Sequence, residues 1–341
     1  MTTITVGILG LGRLGASVGL ALRRYNSRKG AKHELFQTAG VDSSASARAA
    51  AEKSGAVERI ARTYAEAAAN RDIIILALPY SEVASAYREI GLAARPGAVV
   101  IDLSPLKSPS LEWADERLPE GVFMVGATPV LNPDYLFDGL DSAEYARADL
   151  FDRGAWLLTP GRSTAKEAVE LASDFAEILG ATPHFMDPLE HDTLSAATEG
   201  LPALFGLALF RMLAQANSWE DTQRVTNASF GRATHHLEDT HPDDLRDFLL
   251  NNRRNLLPHL DALLATLREL RAVLERGDRE ALEVALIDAA QTYNAWLARR
   301  RSGRWDDRPE QPGRSVAGSL MSGLMGEYLS KRLRRDSKDD E

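Results

Sequence analysis

Three glycines, two carboxylates and a lysine stand out in this chain as residues whose type and spacing could do chemistry. Gly10-x-Gly12-x-x-Gly15 follows the apolar run Ile4 to Leu9 and opens a helical stretch from Ala16 to Arg24. In such a loop the first glycine makes a tight turn, the second lets backbone approach a pyrophosphate, and the third lets helix pack on strand. Arg13 and Leu14 complete the cradle, and the helix start offers free N–H groups to the phosphates. Asp42 ends a second apolar segment 27 residues after Gly15, where about 20 is usual. A carboxylate there accepts both ribose hydroxyls and repels a 2′-phosphate, which points to NAD. Ser43, Ser44, Ser46 and Arg48 follow directly and could hold that phosphate, so NADP is not excluded. Leu78 and Pro79 end the apolar run Asp72–Pro79 and are expected to face the same cofactor space.

Lys107 closes a loop at a strand end, either to hold a carboxylate or as a solvated surface lysine. Glu199 sits between the apolar stretches around Ala196 and Leu201. In such company its pKa should rise, suiting a general acid or base, unless it merely caps the turn at Pro202. Arg232, His235 and His236 could supply cationic contacts to an acidic substrate, or form a solvated helix face. His235, His236 and His241 lack metal-ligand spacing, so no metal is expected.

Strands and helices must position these groups. Buried strand-like runs at 4–9, 39–42, 72–79, 98–102, 123–126 and 156–159 alternate with helical segments. This alternation predicts an α/β Rossmann domain with a doubly wound parallel sheet. Ligands bind such sheets outside the carboxyl ends of the strands, where Pro79, Lys107 and Thr128 fall. From His191 to about Arg300 the pattern is helical, with leucines at helical spacing from Leu256 to Leu274. Helices this apolar need more partners than one small domain supplies, so an all-α dimerisation domain is expected. The reading gives three parts: residues 1–187, 188–301, and a linker with an amphipathic tail helix at 302–341.

Composition narrows the classes. The 341 residues carry a net charge of −9 and no cysteine, which speaks against general nucleic-acid binding, disulfides and thiolate catalysis. No leader precedes the first strand and no run of about 18 apolar residues occurs, so a cytoplasmic protein without a membrane span is expected.

The ordered motifs resemble the prephenate/arogenate dehydrogenase family. They are the glycine loop, Val41-Asp42, Ile75–Pro79, Asp102–Lys107, Gly126–Pro129, Leu158–Pro160, Met186–Asp192 and Gly200–Pro202, then Pro242 to Asn252 leading into the leucine-rich helix. The resemblance implies a dinucleotide domain followed by a helical dimerisation domain, with the active site in the cleft between them. It also implies oxidation of a ring alcohol coupled to loss of a carboxylate, a small carboxylic acid as substrate, and tyrosine-biosynthesis chemistry. Asn252 matches a family asparagine, which makes it a substrate-contact candidate beside its plainer reading as a helix-packing amide. His191-Asp192 matches a family pair and marks where the helical domain begins. The chain departs from the pattern where the family carries a catalytic histidine, a serine and a second histidine. Here those positions hold Thr128, Pro105 and Ala203. Thr128, Lys107 and Glu199 are therefore the catalytic candidates. Two alternatives accompany this reading: a dehydrogenase for another small hydroxy or imino acid, and a dinucleotide-binding regulatory protein without catalysis.

Overall fold

The computed structural model describes residues 3–28, 35–138 and 142–303. The expected tail helix falls outside these residues. Residues 1–294 form one compact unit.

β4 (Ile73–Leu76) shows how the sequence builds the sheet. Its side chains alternate between two cores, with Ile73 and Ile75 on one face and Ile74 and Leu76 on the other. A strand buried on both faces needs a continuous apolar run, which is why Asp72–Pro79 shows no polar alternation. Around β4 lie β1 (Thr3–Leu9), β2 (Leu35–Val41), β3 (Arg59–Ile60), β5 (Val99–Asp102), β6 (Phe123–Val130), β7 (Ala155–Pro160) and β8 (Thr182–Phe185). They form one eight-stranded sheet in the order β3-β2-β1-β4-β5-β6-β7-β8. Helices α1 (Arg13–Asn26) and α6 (Lys166–Leu179) cover one face. On the other face lie α3 (Tyr64–Ala68), α4 (Tyr80–Ala93) and α5 (Ser108–Arg117); α2 (Ala45–Ser54) follows β2.

The sheet departs from the fully parallel expectation at one pairing: β7 runs antiparallel to β6. A parallel return needs a crossover to the opposite end of the strands, usually a helix. Residues between β6 and β7 form only short 3₁₀ turns among the described residues, at Pro133–Tyr135 and Ala143–Tyr145, and the chain turns straight back.

After β8 the chain is helical. α7 (Pro188–Ser195) runs through a π-helical turn at Ala196–Gly200 into α8 (Leu201–Ala214). By length and composition Pro188–Ala214 could cross a membrane; here it packs among α10 (Ala228–Thr234), α11 (His236–Asp239) and α13 (Arg253–Arg276). The short α9 (Trp219–Thr222), α12 (Pro242–Asn251) and α14 (Arg279–Ser302) complete the described residues.

Candidate active site

The glycine loop has the geometry its sequence requires. Gly10 takes φ +94°, a left-handed conformation, and a Cβ there would lie 2.1 Å from the Ala77 carbonyl oxygen. A Cβ on Gly15 would lie 1.9 Å from the Gly10 carbonyl oxygen, so this glycine sets the close approach of α1 to the loop. Gly12 differs: a Cβ there meets nothing within 4 Å. It begins α1 without any side-chain cap, so the first N–H groups of the helix face open space. An uncapped helix start beside an open glycine fits a pyrophosphate.

Asp42 leaves the end of β2 and points back at this loop. Its carboxylate accepts from the Leu11 N–H at 2.7 Å and the Ser44 N–H at 2.7 Å. Each oxygen keeps a lone pair for ribose hydroxyls. Arg48 donates to the carbonyls of Asp42 and Ser43, and the Ser44 hydroxyl caps α2. Two of the groups that could hold a 2′-phosphate, Arg48 and Ser44, are thus engaged with local backbone. Arg13 is also committed: its guanidinium grips the Asp138 carboxylate with two hydrogen bonds of 2.9 and 2.6 Å. It walls the site rather than presenting a free cation to phosphate.

A cleft of about 610 Å³ opens from this loop. Gly12, Leu14, Asp42, Leu78 and Pro79 line one end, while Thr128, Glu199 and His236 line its continuation toward the helical half. Leu103 and Pro105 form the floor between them, and Asp239, Thr240, His241 and Asp244 close it on the helical side. Those last four come from the end of α11, the start of α12 and the turn between them, and of these only His241 is weighed from the sequence, for a metal.

Four expected site residues lie elsewhere or in a different state. Lys107 is fully buried and is neither a surface lysine nor a substrate anchor. Its Nζ donates to the carbonyls of Asp102 (3.1 Å), Ser104 (2.5 Å) and Ala127 (2.9 Å), which uses all three N–H bonds. Burial pushes its ammonium down to about 8, against the pull of Asp102 and Asp192. Arg232 is exposed on α10 and does not line the cleft. Asn252 is buried outside the cleft, donating to the Asp192 carbonyl at 2.8 Å and accepting from Asn255 at 2.8 Å. Its amide ties the α12–α13 junction to α7, in keeping with the helix-packing alternative. Glu199 does line the cleft, but it is exposed, so the expectation of a carboxylate buried in apolar company is not met. It lies in the π-helical turn, of which Ala196 and Gly200 are the buried residues.

Behind Thr128 stands a pair that sequence reasoning treats only as a positional marker. The Thr128 hydroxyl lies 2.8 Å from His191 Nε2, and His191 Nδ1 lies 3.1 Å from the Asp192 carboxylate. Asp192 also accepts from the backbone N–H of Lys107 (2.7 Å) and of Ser108 (2.9 Å), capping α5, which has no side-chain cap of its own. Burial opposes the Asp192 charge, but these hydrogen bonds outweigh it and hold the carboxyl below its usual range. Burial lowers the His191 pKa more than its bond to Asp192 raises it, so the imidazole is neutral near pH 7.

Comparison with known proteins agrees with this arrangement. Residues 18–184 match the family model for the prephenate dehydrogenase nucleotide-binding domain, and residues 187–287 match that for its dimerization domain. The chain is 25% identical to prephenate dehydrogenase of Bacillus subtilis, over 96% of this chain and 86% of that protein. It is 24% identical to cyclohexadienyl dehydrogenase of Zymomonas mobilis, over 81% and 90% of the two chains. Its fold is similar to that of Aquifex aeolicus prephenate dehydrogenase solved with hydroxyphenyl propionate and NAD+ (TM-score 0.71, 20% identity, 86% of this chain and 98% of that one). It is similar also to Synechocystis arogenate dehydrogenase (TM-score 0.64, 20% identity, 86% and 100%). The chain belongs to the prephenate dehydrogenase family, NAD(P)-dependent oxidoreductases of the tyrosine-biosynthesis type built from a nucleotide-binding domain and a helical dimerization domain.

Proposed function

We propose that this protein is a soluble, cytoplasmic homodimer that oxidises a small cyclic hydroxy acid with NAD, in a cleft between residues 1–187 and 188–301. One observation carries the reading: the cleft is continuous from Gly12 and Asp42 to the Thr128 hydroxyl. A dinucleotide spanning that distance delivers a hydride acceptor beside a hydroxyl that can take up a proton. When bound, NAD+ supplies the oxidising equivalent. The protein's share is to hold the ribose at Asp42, seat the pyrophosphate at Gly12 and the α1 N-terminus, and receive the substrate hydroxyl at Thr128. His236, half-buried in the cleft wall, is the group proposed to meet the substrate carboxylate.

A second reading rests on charge. Glu199, Asp239 and Asp244 line the substrate end, whereas Arg13 is held by Asp138. This surplus of carboxylates favours a substrate bearing an ammonium group, such as arogenate, over a dicarboxylate such as prephenate. Purified protein incubated with NAD+ and prephenate, arogenate or other cyclic hydroxy acids separates the readings by which one reduces the dinucleotide. Binding of NAD without turnover of any of them would leave a non-catalytic dinucleotide-binding protein.

A further inference from the structure

A hydroxyl in the place of a catalytic histidine leaves that position without a base of its own, because threonine does not ionise near neutral pH. We propose that His191 supplies that base through Thr128: the substrate hydroxyl gives its proton to Thr128 Oγ1 while Thr128 passes its own proton to His191 Nε2. The proposal rests on reading the cleft as that of a hydroxy-acid dehydrogenase.

The geometry supports each link. Thr128 lies on the cleft wall, half-exposed, and its hydroxyl is 2.8 Å from Nε2. His191 is buried behind it and does not line the cleft, so it reaches substrate only through that hydroxyl. An ionised carboxylate only accepts hydrogen bonds, so Asp192 at 3.1 Å places the imidazole proton on Nδ1 and leaves Nε2 as the acceptor. Asp192 is itself fixed by two backbone N–H groups, so the ring cannot readily turn. The arrangement repeats, on an unrelated fold, the logic of a hydroxyl, a histidine and an orienting carboxylate. Here the hydroxyl transfers a proton instead of attacking as a nucleophile.

The step balances. As the carbinol C–H bond gives its hydride to the oxidised nicotinamide, the C–O bond becomes C=O and the hydroxyl proton leaves. Thr128 gains that proton and loses its own, ending neutral, while His191 becomes an imidazolium beside the Asp192 carboxylate. The ionisable neighbours of His191 are Asp192 on its own helix and Lys107 from the turn entering α5. β6 presents the uncharged Thr128, β7 carries no ionisable side chain, and the α12–α13 junction presents the amide of Asn252.

The test begins without substrate. In protein labelled with ¹⁵N at histidine, the His191 signal, identified by its loss in His191→Gln, should show a protonated Nδ1 and a bare Nε2 near neutral pH. A proton on Nε2 overturns the proposal. In turnover, Thr128→Val and His191→Gln should each lower kcat/KM by about a hundredfold or more. The double variant should lose no more than either alone, because the two act as one unit. Thr128→Ser should recover most of the rate, and dinucleotide affinity should stay within about twofold throughout, which also reports that the variants fold. The wild-type kcat/KM should fall as pH drops through a value below the ordinary histidine value of about 6.5, and His191→Gln should abolish that limb. Additive losses, or wild-type rates in Thr128→Val, overturn the relay while leaving the dehydrogenase reading intact. A wild-type protein that binds NAD but oxidises no cyclic hydroxy acid defeats the dehydrogenase reading and the relay with it.

Discussion

Lys107 Nζ donates to the Ala127 carbonyl across 2.9 Å, fixing the loop after β5 to β6 one residue before Thr128. Lys107 thus acts on the site by holding the strand that carries the hydroxyl. Its ammonium is held at about 8 in the folded protein against 10.5 for an unperturbed lysine. Between those values the unfolded chain binds more protons, so this group adds stability as pH rises from about 8 toward 10, and its penalty is complete below 8. Urea midpoints measured near pH 7.5 and 9.5 should show wild type gaining on Lys107→Met as pH rises. Parallel behaviour of the two proteins would remove this account. Near pH 7.5 Lys107→Ala should cost on the order of 3 kcal/mol, because it leaves three carbonyls unmet and opens a void.

Gly12 and Gly15 make opposite predictions though they share one motif. Gly12→Ala puts a methyl into open space at φ −61°, a conformation any residue adopts, so the melting temperature should stay within about 2 °C. Dinucleotide affinity should nevertheless fall at least about tenfold, since the methyl occupies the pyrophosphate approach. Gly15→Ala drives a methyl into backbone 1.9 Å away and should destabilise the protein by roughly 3 kcal/mol. Calorimetry for stability and fluorescence titration with NAD would expose a reversal of this pattern.

These glycines were legible in the sequence because their roles are set locally, by backbone conformation and by contacts between a strand and the helix that follows it. Asp42 was legible for a similar reason: a carboxylate at the end of the second strand faces the glycine loop in this topology. Lys107 was not, because its burial depends on Ala127, a residue from the next strand, whose carbonyl takes one of its protons. The Thr128–His191 contact joins residues 63 apart in the chain and exists only because α7 folds back under β6. One signal did point there: a hydroxyl where a base is required asks for a base nearby, and His191 was the buried histidine to seek. Arg232 and Asn252 take the plainer of their two readings, a solvated helix face and a helix-packing amide, because residue type alone does not say which neighbour a helix face meets.

Asp42 should govern the choice of dinucleotide. Asp42→Asn preserves shape but removes the charge, so a ribose loses a charge-assisted acceptor worth about 1.5–3 kcal/mol. The Kd for NAD should rise by about tenfold or more, while binding of NADP should hold or improve as the repulsion of its 2′-phosphate disappears. Titration of both cofactors into wild type and variant measures the ratio directly. An unchanged ratio would place selectivity elsewhere in the loop.

The leucines of α13 bear on assembly. Leu257, Leu264, Leu267 and Leu274 are 55%, 39%, 41% and 64% exposed in the single chain, although their spacing forms one apolar stripe. An exposed stripe on a family dimerization domain is the surface a second copy would cover. Burying each leucine fully is worth about 1.5–3 kcal/mol, so a charge placed among them should weaken association strongly. Leu267→Glu is expected to convert the dimer to monomer at micromolar concentration in sedimentation velocity. Leu92, 89% exposed near the end of α4, provides the control: Leu92→Glu should leave the sedimentation coefficient unchanged. The monomeric variant should still bind NAD, because every group assigned to the cofactor lies at the sheet end, on β1, α1, β2 and the turn after β4. Loss of NAD binding together with the dimer would mean that the partner subunit helps to build the cofactor site.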